Sequence, residues 1–203
     1  MNLSQEIYDR MKHIYNGTFI EAGAYDGIEQ SNTYLLEKHN NWTGLLIEPS
    51  ITQFDALEQN RCNSIHERCA ISNYNGKIFG DFDGKLMSSV NGTRLDRSNT
   101  NNILSVPCFT LTTLCKRHNI LNIDLCSLDV EGHEYQVLKG INFSKINIKN
   151  FIIEVYDSQK SDIFAYLNKY DIICLTNYNL IDDPTWDGTH QDYLFTKKKN
   201  KWL

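Results

Sequence analysis

Short apolar or β-branched runs recur along this chain, and segments of helical period fill most of the intervals between them. This alternation constrains the fold more than any other feature. The runs lie at about 18–21, 43–48, 64–71, 123–129, 150–156, 171–175 and 192–196, and the helical patterns at about 29–39, 50–59, 111–118, 134–139 and 161–169. Ser50 followed by Gln53 fits the start of a capping box, and Gly140 stands where a helix would stop. Strand, helix, strand in repetition predicts a parallel sheet with helices on both faces, and right-handed crossovers leave few ways to connect it. The expected fold is an open, doubly wound, Rossmann-like α/β sheet.

Two segments break the rhythm. Asn75-Gly76, between Tyr74 and Ile78, reads as a hairpin turn, and the stretch 80–105 after it is rich in Gly, Asn, Ser and Asp. A loop of that length inside a domain is expected to be a lid or a mobile insertion. The second segment, 177–191, carries Asp182, Asp183, Trp186, Asp187 and His190 just before the last strand. No repeat or linker divides the chain, so a single domain over 1–203 is expected. The lysine-rich 197–201 reads as a solvated end, or as a junction if the chain is one domain of a longer polypeptide.

Composition narrows the partners. With 41% apolar and 22% charged residues the chain can bury a core. Its 20 basic against 25 acidic side chains leave a net charge of −5, which argues against a nucleic-acid backbone as main partner. The uncharged apolar stretches are too short to span a membrane, and the first residues hold no apolar run of signal-peptide length. The 6 cysteines include no C-x-x-C pair and mostly sit in apolar runs, so buried thiols in a reducing, cytoplasmic setting are expected.

The first turn carries chemistry. FIEAGAYDG follows the first strand, where an open α/β sheet binds its ligands. Gly23 and Gly27 let the backbone approach a ligand, but their G-x-x-x-G spacing departs from the dinucleotide fingerprint, and no P-loop Lys-Ser/Thr follows. Glu21 would repel a pyrophosphate and suit a cation, while Glu48 ends the second strand where a carboxylate accepts both ribose hydroxyls. Together these residues suit a cationic nucleoside without phosphates, the character of S-adenosylmethionine.

Read together, the motifs resemble the FkbM-type family of S-adenosylmethionine-dependent methyltransferases. The likeness runs from FIEAGAYDG through IEQSNTYLLEK and WTGLLIEPS to LTTLCKRHNI, CSLDVEGHEYQVLKGI and FIIEVYD. The resemblance implies a seven-stranded methyltransferase sheet with an antiparallel last strand, and methyl transfer to a hydroxyl oxygen. By position, it implies that Glu21, Gly23, Ala24, Tyr25 and Gly27 surround the methionine part, with Asn32 at the following helix start. Glu48, followed by Pro49, would hold the ribose, Ala70 and Ile71 would line the adenine, and Asp129 would face the reacting centre. The stretch 80–105 has no counterpart in the resemblance.

A hydroxyl acceptor needs its proton removed or its pKa lowered by a metal. Within Asp129-Val130-Glu131-Gly132-His133-Glu134, His133 titrates nearest neutrality and is the first candidate base, with Asp129 second and Glu131 beside them. The plain alternative is that Glu131 and Glu134 only favour the next helix's N-terminus and that His133 is merely exposed. No metal is favoured; were Mg²⁺ bound, Asp129, Glu154 and Asp157 would be its oxygen ligands. Trp186 and Tyr178 are expected to stack on a sugar face, with Glu154, His190 and the loop aspartates bonding its hydroxyls. The resemblance favours a glycan acceptor such as a deoxysugar (rhamnose or fucose), or another small hydroxyl compound. Two alternatives stand beside it: a methyltransferase-like binding module without catalysis, and a nicotinamide-dependent oxidoreductase, which the glycine spacing disfavours.

Overall fold

The computed structural model describes residues 2–82, 90, 103–178 and 188–198. In chain order the first elements are α1 (Leu3–Met11), β1 (Thr18–Ala22), α2 (Tyr34–Asn40), β2 (Thr43–Ile47), α3 (Ile51–Asn60), β3 (Ile65–Glu67), β4 (Ala70–Ile71) and β5 (Gly76–Asp81). There follow β6 (Ile103–Phe109), α4 (Leu111–Arg117), β7 (Asn122–Leu128), α5 (Glu134–Lys139), β8 (Asn147–Tyr156), α6 (Lys160–Asn168), β9 (Ile172–Tyr178) and β10 (His190–Lys197). No described helix is long and apolar enough to cross a membrane.

Seven strands form one sheet in the order β3-β2-β1-β7-β8-β10-β9. Neighbours are parallel except where β10, the last strand, runs antiparallel to β8 and β9. The central strands read as nearly continuous apolar runs because both sheet faces are covered. On one face Ile20, Leu45, Cys126 and Ile153 pack with Leu114 of α4, Val137 of α5 and Ile163 of α6. On the other, Phe19, Leu46, Leu125, Ile152 and Leu194 pack with Ile7 of α1, Leu36 of α2 and Leu57 of α3. Each such fully buried side chain contributes roughly 1.5–3 kcal/mol. The connections leave β1 to one side and resume at β7 on the other, so strand order reverses between these two, and their carboxyl ends form the crevice where such sheets bind ligands.

Several boundaries differ from the sequence reading, each for a local reason. α2 starts at Tyr34, not near Glu29, because the buried Glu21 carboxylate captures the Asn32 amide and the Ser31 and Thr33 hydroxyls, holding that stretch out of the helix. The expected strand at 64–71 divides: β3 stays in the main sheet, a turn brings Cys69 N–H onto Glu67 O, and β4 joins a second sheet of order β4-β6-β5. Asn75-Gly76 is not a hairpin turn, since β6 lies between β4 and β5, and the Asn75 side chain instead accepts from Thr110 N–H at 2.8 Å. Both ends of the expected loop 80–105 are strand, in β5 and β6, with 83–89 and 91–102 outside the described residues. Likewise Asn177, Tyr178, His190 and Gln191 belong to β9 and β10, whereas 179–187, with Asp182, Asp183, Trp186 and Asp187, lie outside them. Ser50 does cap α3, accepting from Gln53 N–H at 3.4 Å. Cys69, Cys108, Cys115 and Cys126 are buried thiols, but Cys62 is exposed and Cys174 half-buried.

Candidate active site

The turn after β1 is fixed from both sides. Gly23 and Ala24 both donate their N–H to Ile47 O at 3.1 Å, which ties the turn to β2. Gly23 has φ +79°, and a Cβ there would stand 1.8 Å from Asp129 O, so only glycine lets β1 and β7 close over this point. Tyr25, at φ 49°, donates its N–H to Glu48 Oε2 at 2.9 Å. Asp26 Oδ1 accepts from Ile28 N–H and Glu29 N–H at 2.8 Å, and Gly27 N–H donates to Ala24 O. The amides of Gly23, Ala24, Tyr25, Gly27, Ile28 and Glu29 are therefore spent within the protein.

Glu48 stands at the end of β2, 5% exposed, and its Oε1 accepts from Ser50 N–H at 2.8 Å. Burial pushes its carboxyl up to about 7 against the two amide bonds that favour the ionised form. A carboxylate offers about four acceptor positions, so two remain in capacity after these bonds.

Around this turn lies a cleft of about 800 Å³, counted to its open mouth. Gly23, Tyr25, Glu29 and Gln30 form one wall, Ile47, Glu48 and Pro49 the floor, and Cys69, Ala70, Ile71, Phe82 and Val90 an apolar shelf. Asp129, Val130 and Glu131 close the far side. Of the residues singled out in the sequence, Gly23, Tyr25, Glu48, Pro49, Ala70, Ile71, Asp129 and Glu131 thus meet at one place. Glu29, Gln30, Cys69, Phe82 and Val90 join them without a motif to announce them. Phe82 and Val90 come from the polar stretch 80–105, which was expected to be a lid or a mobile insertion.

The others lie elsewhere. Ala24 is buried in the core on the α1–α3 side. Gly27 backs onto Leu57 and Arg61, where a Cβ would meet side chains at 2.6 Å. Glu21 does not point into the cleft: its carboxylate accepts from Ser31 Oγ at 2.8 Å, Asn32 N at 2.6 Å and the Thr33 hydroxyl. Asn32 itself donates through Nδ2 to Ser127 Oγ at 3.1 Å, and its Oδ1 is buried without a partner.

Beneath this loop sits Arg61, its side chain 0% exposed. It donates to Glu37 Oε2 through Nε and Nη2 at 3.0 and 2.9 Å, to Gly27 O at 2.8 Å, and to the Ser31 and Thr33 hydroxyls at 3.1 and 3.0 Å. Glu21 Oε2 is 3.8 Å away, and the guanidinium lies over the Phe19 ring at 5.3 Å. Such an arginine is invisible in sequence, since nothing in its neighbourhood along the chain distinguishes it from a solvated helix-end cation.

The turn after β7 is held by Glu134, which is 0% exposed. Its Oε1 accepts from Val130 N–H at 2.9 Å and Gly132 N–H at 3.2 Å, while Oε2 has no partner and burial raises the carboxyl to about 7. This grip imposes left-handed φ angles of 56° at Glu131 and 88° at Gly132. Glu131 Oε2 accepts from Tyr156 OH at 3.1 Å. His133 occupies the N-cap position of α5 without a side-chain capping bond and lies outside the cleft, its Nε2 2.9 Å from Ser72 Oγ, and burial lowers its pKa below the usual 6.5.

Glu154 and His190 pair across β8 and β10, Oε1 to Nε2 at 3.1 Å, both nearly buried, with Tyr156 against the imidazole at 5.2 Å between centroids. Neither lines the cleft. Asp192, opposite Glu154 in register, is pushed up to about 7 by burial. Asp157 is exposed. Among the described residues no three His, Cys, Asp or Glu side chains lie where they could hold a metal ion, so Asp129, Glu154 and Asp157 do not converge as a ligand set.

The Methyltransferase FkbM domain matches residues 21–174. The chain belongs to the FkbM methyltransferase family. No curated protein matches it. Among solved structures, the FkbM methyltransferase of Methylobacillus flagellatus is similar at TM-score 0.57 and 15% identity, covering 89% of this chain and 43% of that one. A TehB-like S-adenosylmethionine-dependent methyltransferase of Corynebacterium glutamicum aligns at TM-score 0.51 and 11% identity over 98% of this chain and 89% of its own. The fibrillarin of Aeropyrum pernix, with natively bound S-adenosylmethionine, aligns at TM-score 0.55 and 11% identity over 90% and 67%. At these identities the likeness establishes the fold. This FkbM domain has the methyltransferase sheet, with its cleft at the strand-order reversal.

Proposed function

We propose that this FkbM domain is an S-adenosylmethionine-dependent O-methyltransferase whose acceptor is a hydroxyl group of a sugar or glycan. The observation that carries the cofactor reading is the cleft itself: a buried carboxylate at the β2 end faces a turn most of whose amides are already bonded inside the protein. A diphosphate needs unspent N–H groups and repels a carboxylate, whereas a ribose needs an acceptor for its hydroxyls. The residues present therefore fit a nucleoside without phosphates and disfavour a nicotinamide dinucleotide.

When bound, S-adenosylmethionine supplies an electrophilic methyl group on a sulfonium. Glu48 accepts the ribose hydroxyls, using capacity beyond its bonds to Tyr25 and Ser50. Ala70, Ile71, Phe82 and Val90 form the apolar shelf that receives the adenine and keeps water from it. Gly23 lines the cleft beside the methionine part and lets the end of β7 close against β1, because Asp129 O fills the place of a Cβ. Asp129, which lines the cleft at the end of β7, takes the acceptor's hydroxyl proton in this reading, with Glu131 nearby accepting from Tyr156 OH. His133, which sequence favours as base, faces Ser72 in a neighbouring groove and is not assigned that step. Alignment of acceptor oxygen and methyl carbon is the larger part of such a catalyst's work.

The test is turnover by wild type and Asp129→Asn in the presence of S-adenosylmethionine and hydroxyl acceptors. Loss of turnover of about 10²-fold or more with cofactor affinity kept supports the role of Asp129. Turnover at the wild-type rate removes it.

A further inference from the structure

Beside the cofactor cleft, across the Gly132–His133 turn and sharing Val90 with it, runs an open groove of about 1050 Å³ between β5 and α5. Three features set it apart. First, it presents aromatic surface to solvent: Phe79 on β5 is 59% exposed and Tyr74 is 44% exposed, although burial would favour both. Second, its polar side chains are amides. Asn73 Nδ2 donates to Gln136 Oε1 at 3.2 Å, and Gln159 Nε2 donates to Gly132 O at 2.7 Å, so each amide is oriented and keeps further donor or acceptor capacity. Third, the described lining contains no Asp, Glu, Lys or Arg, in a chain where 22% of residues are charged. Lys139, which is not among the lining residues, lies against the Tyr135 ring at 4.6 Å. His133 is the single titratable cation former, and with its pKa lowered by burial it is neutral at pH 7.

An uncharged groove with aromatic faces and fixed amides does not attract a phosphate, a carboxylate or an ammonium. It matches a ring that has apolar C–H faces and hydroxyls around its edge. We propose that this groove binds the pyranose ring of a neutral glycan, with Tyr74 and Phe79 as platforms for the ring face and Asn73, Gln136 and Gln159 as hydroxyl partners. Val90 lines both groove and cleft, and Gly132 of the groove directly follows Glu131 of the cleft, so a chain bound here leads toward Asp129. The inference rests on the methyltransferase reading only for the ligand's role as acceptor; the binding event stands independently of it.

Saturation-transfer NMR on the whole chain tests this with methyl glycosides of rhamnose, fucose and glucose as probes and glucose 6-phosphate as the charged comparison. Transfer to ring C–H protons of a neutral glycoside is expected, with affinity weakened about fivefold in Phe79→Ala and in Tyr74→Ala. Neither residue touches the cofactor cleft, and both are exposed, so melting temperature and S-adenosylmethionine affinity are expected to stay at wild-type values in the two variants. Absence of transfer from every neutral glycoside, transfer that survives both substitutions, or preference for the phosphorylated sugar overturns the proposal. Failure of wild type to bind S-adenosylmethionine is a separate result, and it removes the cofactor reading without deciding the groove.

Discussion

Glu48 makes cofactor affinity depend on pH in a way that can be worked out in advance. Its carboxyl is raised to about 7 in the free protein because burial penalises the charge. Ribose hydroxyls donate to the ionised form, so binding must first ionise Glu48 below that pH. By linkage the affinity then falls, approaching tenfold for each pH unit well below 7, by roughly fifteenfold between pH 7 and pH 5.5. Isothermal calorimetry with S-adenosylmethionine from pH 5.5 to pH 8 is expected to give a rising curve that flattens above about 7. Glu48→Gln removes both the charge and one acceptor, so affinity drops by about 30-fold or more and the pH slope disappears. Glu134 titrates in the same range and holds the neighbouring turn. Glu134→Gln is therefore the control, and it is expected to keep the slope. A wild-type affinity that is level from pH 5.5 to pH 8, or a slope that persists in Glu48→Gln, refutes the assignment of Glu48 to the ribose.

Other consequences concern the scaffold. Glu48, Glu134 and Asp192 have folded-state pKa values near 7, above those of an unfolded chain, so between about 4.5 and 7 the folded state binds more protons and stability falls as pH rises. Chemical denaturation of the ligand-free protein is expected to show greater stability at pH 5.5 than at pH 8, by a few kcal/mol at most; a smaller difference in Glu134→Gln confirms the source, and an unchanged one contradicts it. Arg61→Met leaves Glu21 and Glu37 buried without their cation and is expected to cost about 3–5 kcal/mol in urea unfolding. A loss under about 1 kcal/mol would mean that the arginine is not what holds the 27–33 loop. Gly23→Ala forces a Cβ onto Asp129 O and a left-handed angle onto alanine, so either folding or cofactor binding is lost; wild-type melting and wild-type affinity together argue against the close approach.

The sheet was legible because its strands are buried on both faces: β1, β2, β7 and β8 are apolar runs that few other structures accommodate. The strand-end carboxylate and the glycine turn were legible for a similar reason, as a polar group or a missing Cβ at such an end has few structural uses. What escaped were features made by long-range contact. Glu21 and Glu48 look alike in sequence, each an acid closing an apolar run, and only the fold separates them: one meets Arg61 and the Ser31–Thr33 segment, the other faces the cleft. His133 lines the groove beside the cleft, just past a turn whose residues Glu131 and Gly132 are left-handed, a placement that sequence does not show. The outer sheet was hidden by its half-exposed strands, in which Phe79, Ile103 and Leu104 face solvent and blur the alternation. α1 was missed because it is short and buries fully only Ile7 and Met11, with Leu3 and Tyr8 half-buried among charged and polar residues.

The most direct test of the central claim is mass spectrometry of products formed by the whole chain from S-adenosylmethionine with a deuterated methyl group and a panel of neutral glycosides. One labelled methyl is expected on a hydroxyl oxygen of at least one glycoside, abolished in Asp129→Asn. Cofactor that binds while no oxygen of any acceptor gains the label, or a label found on nitrogen or carbon, contradicts it.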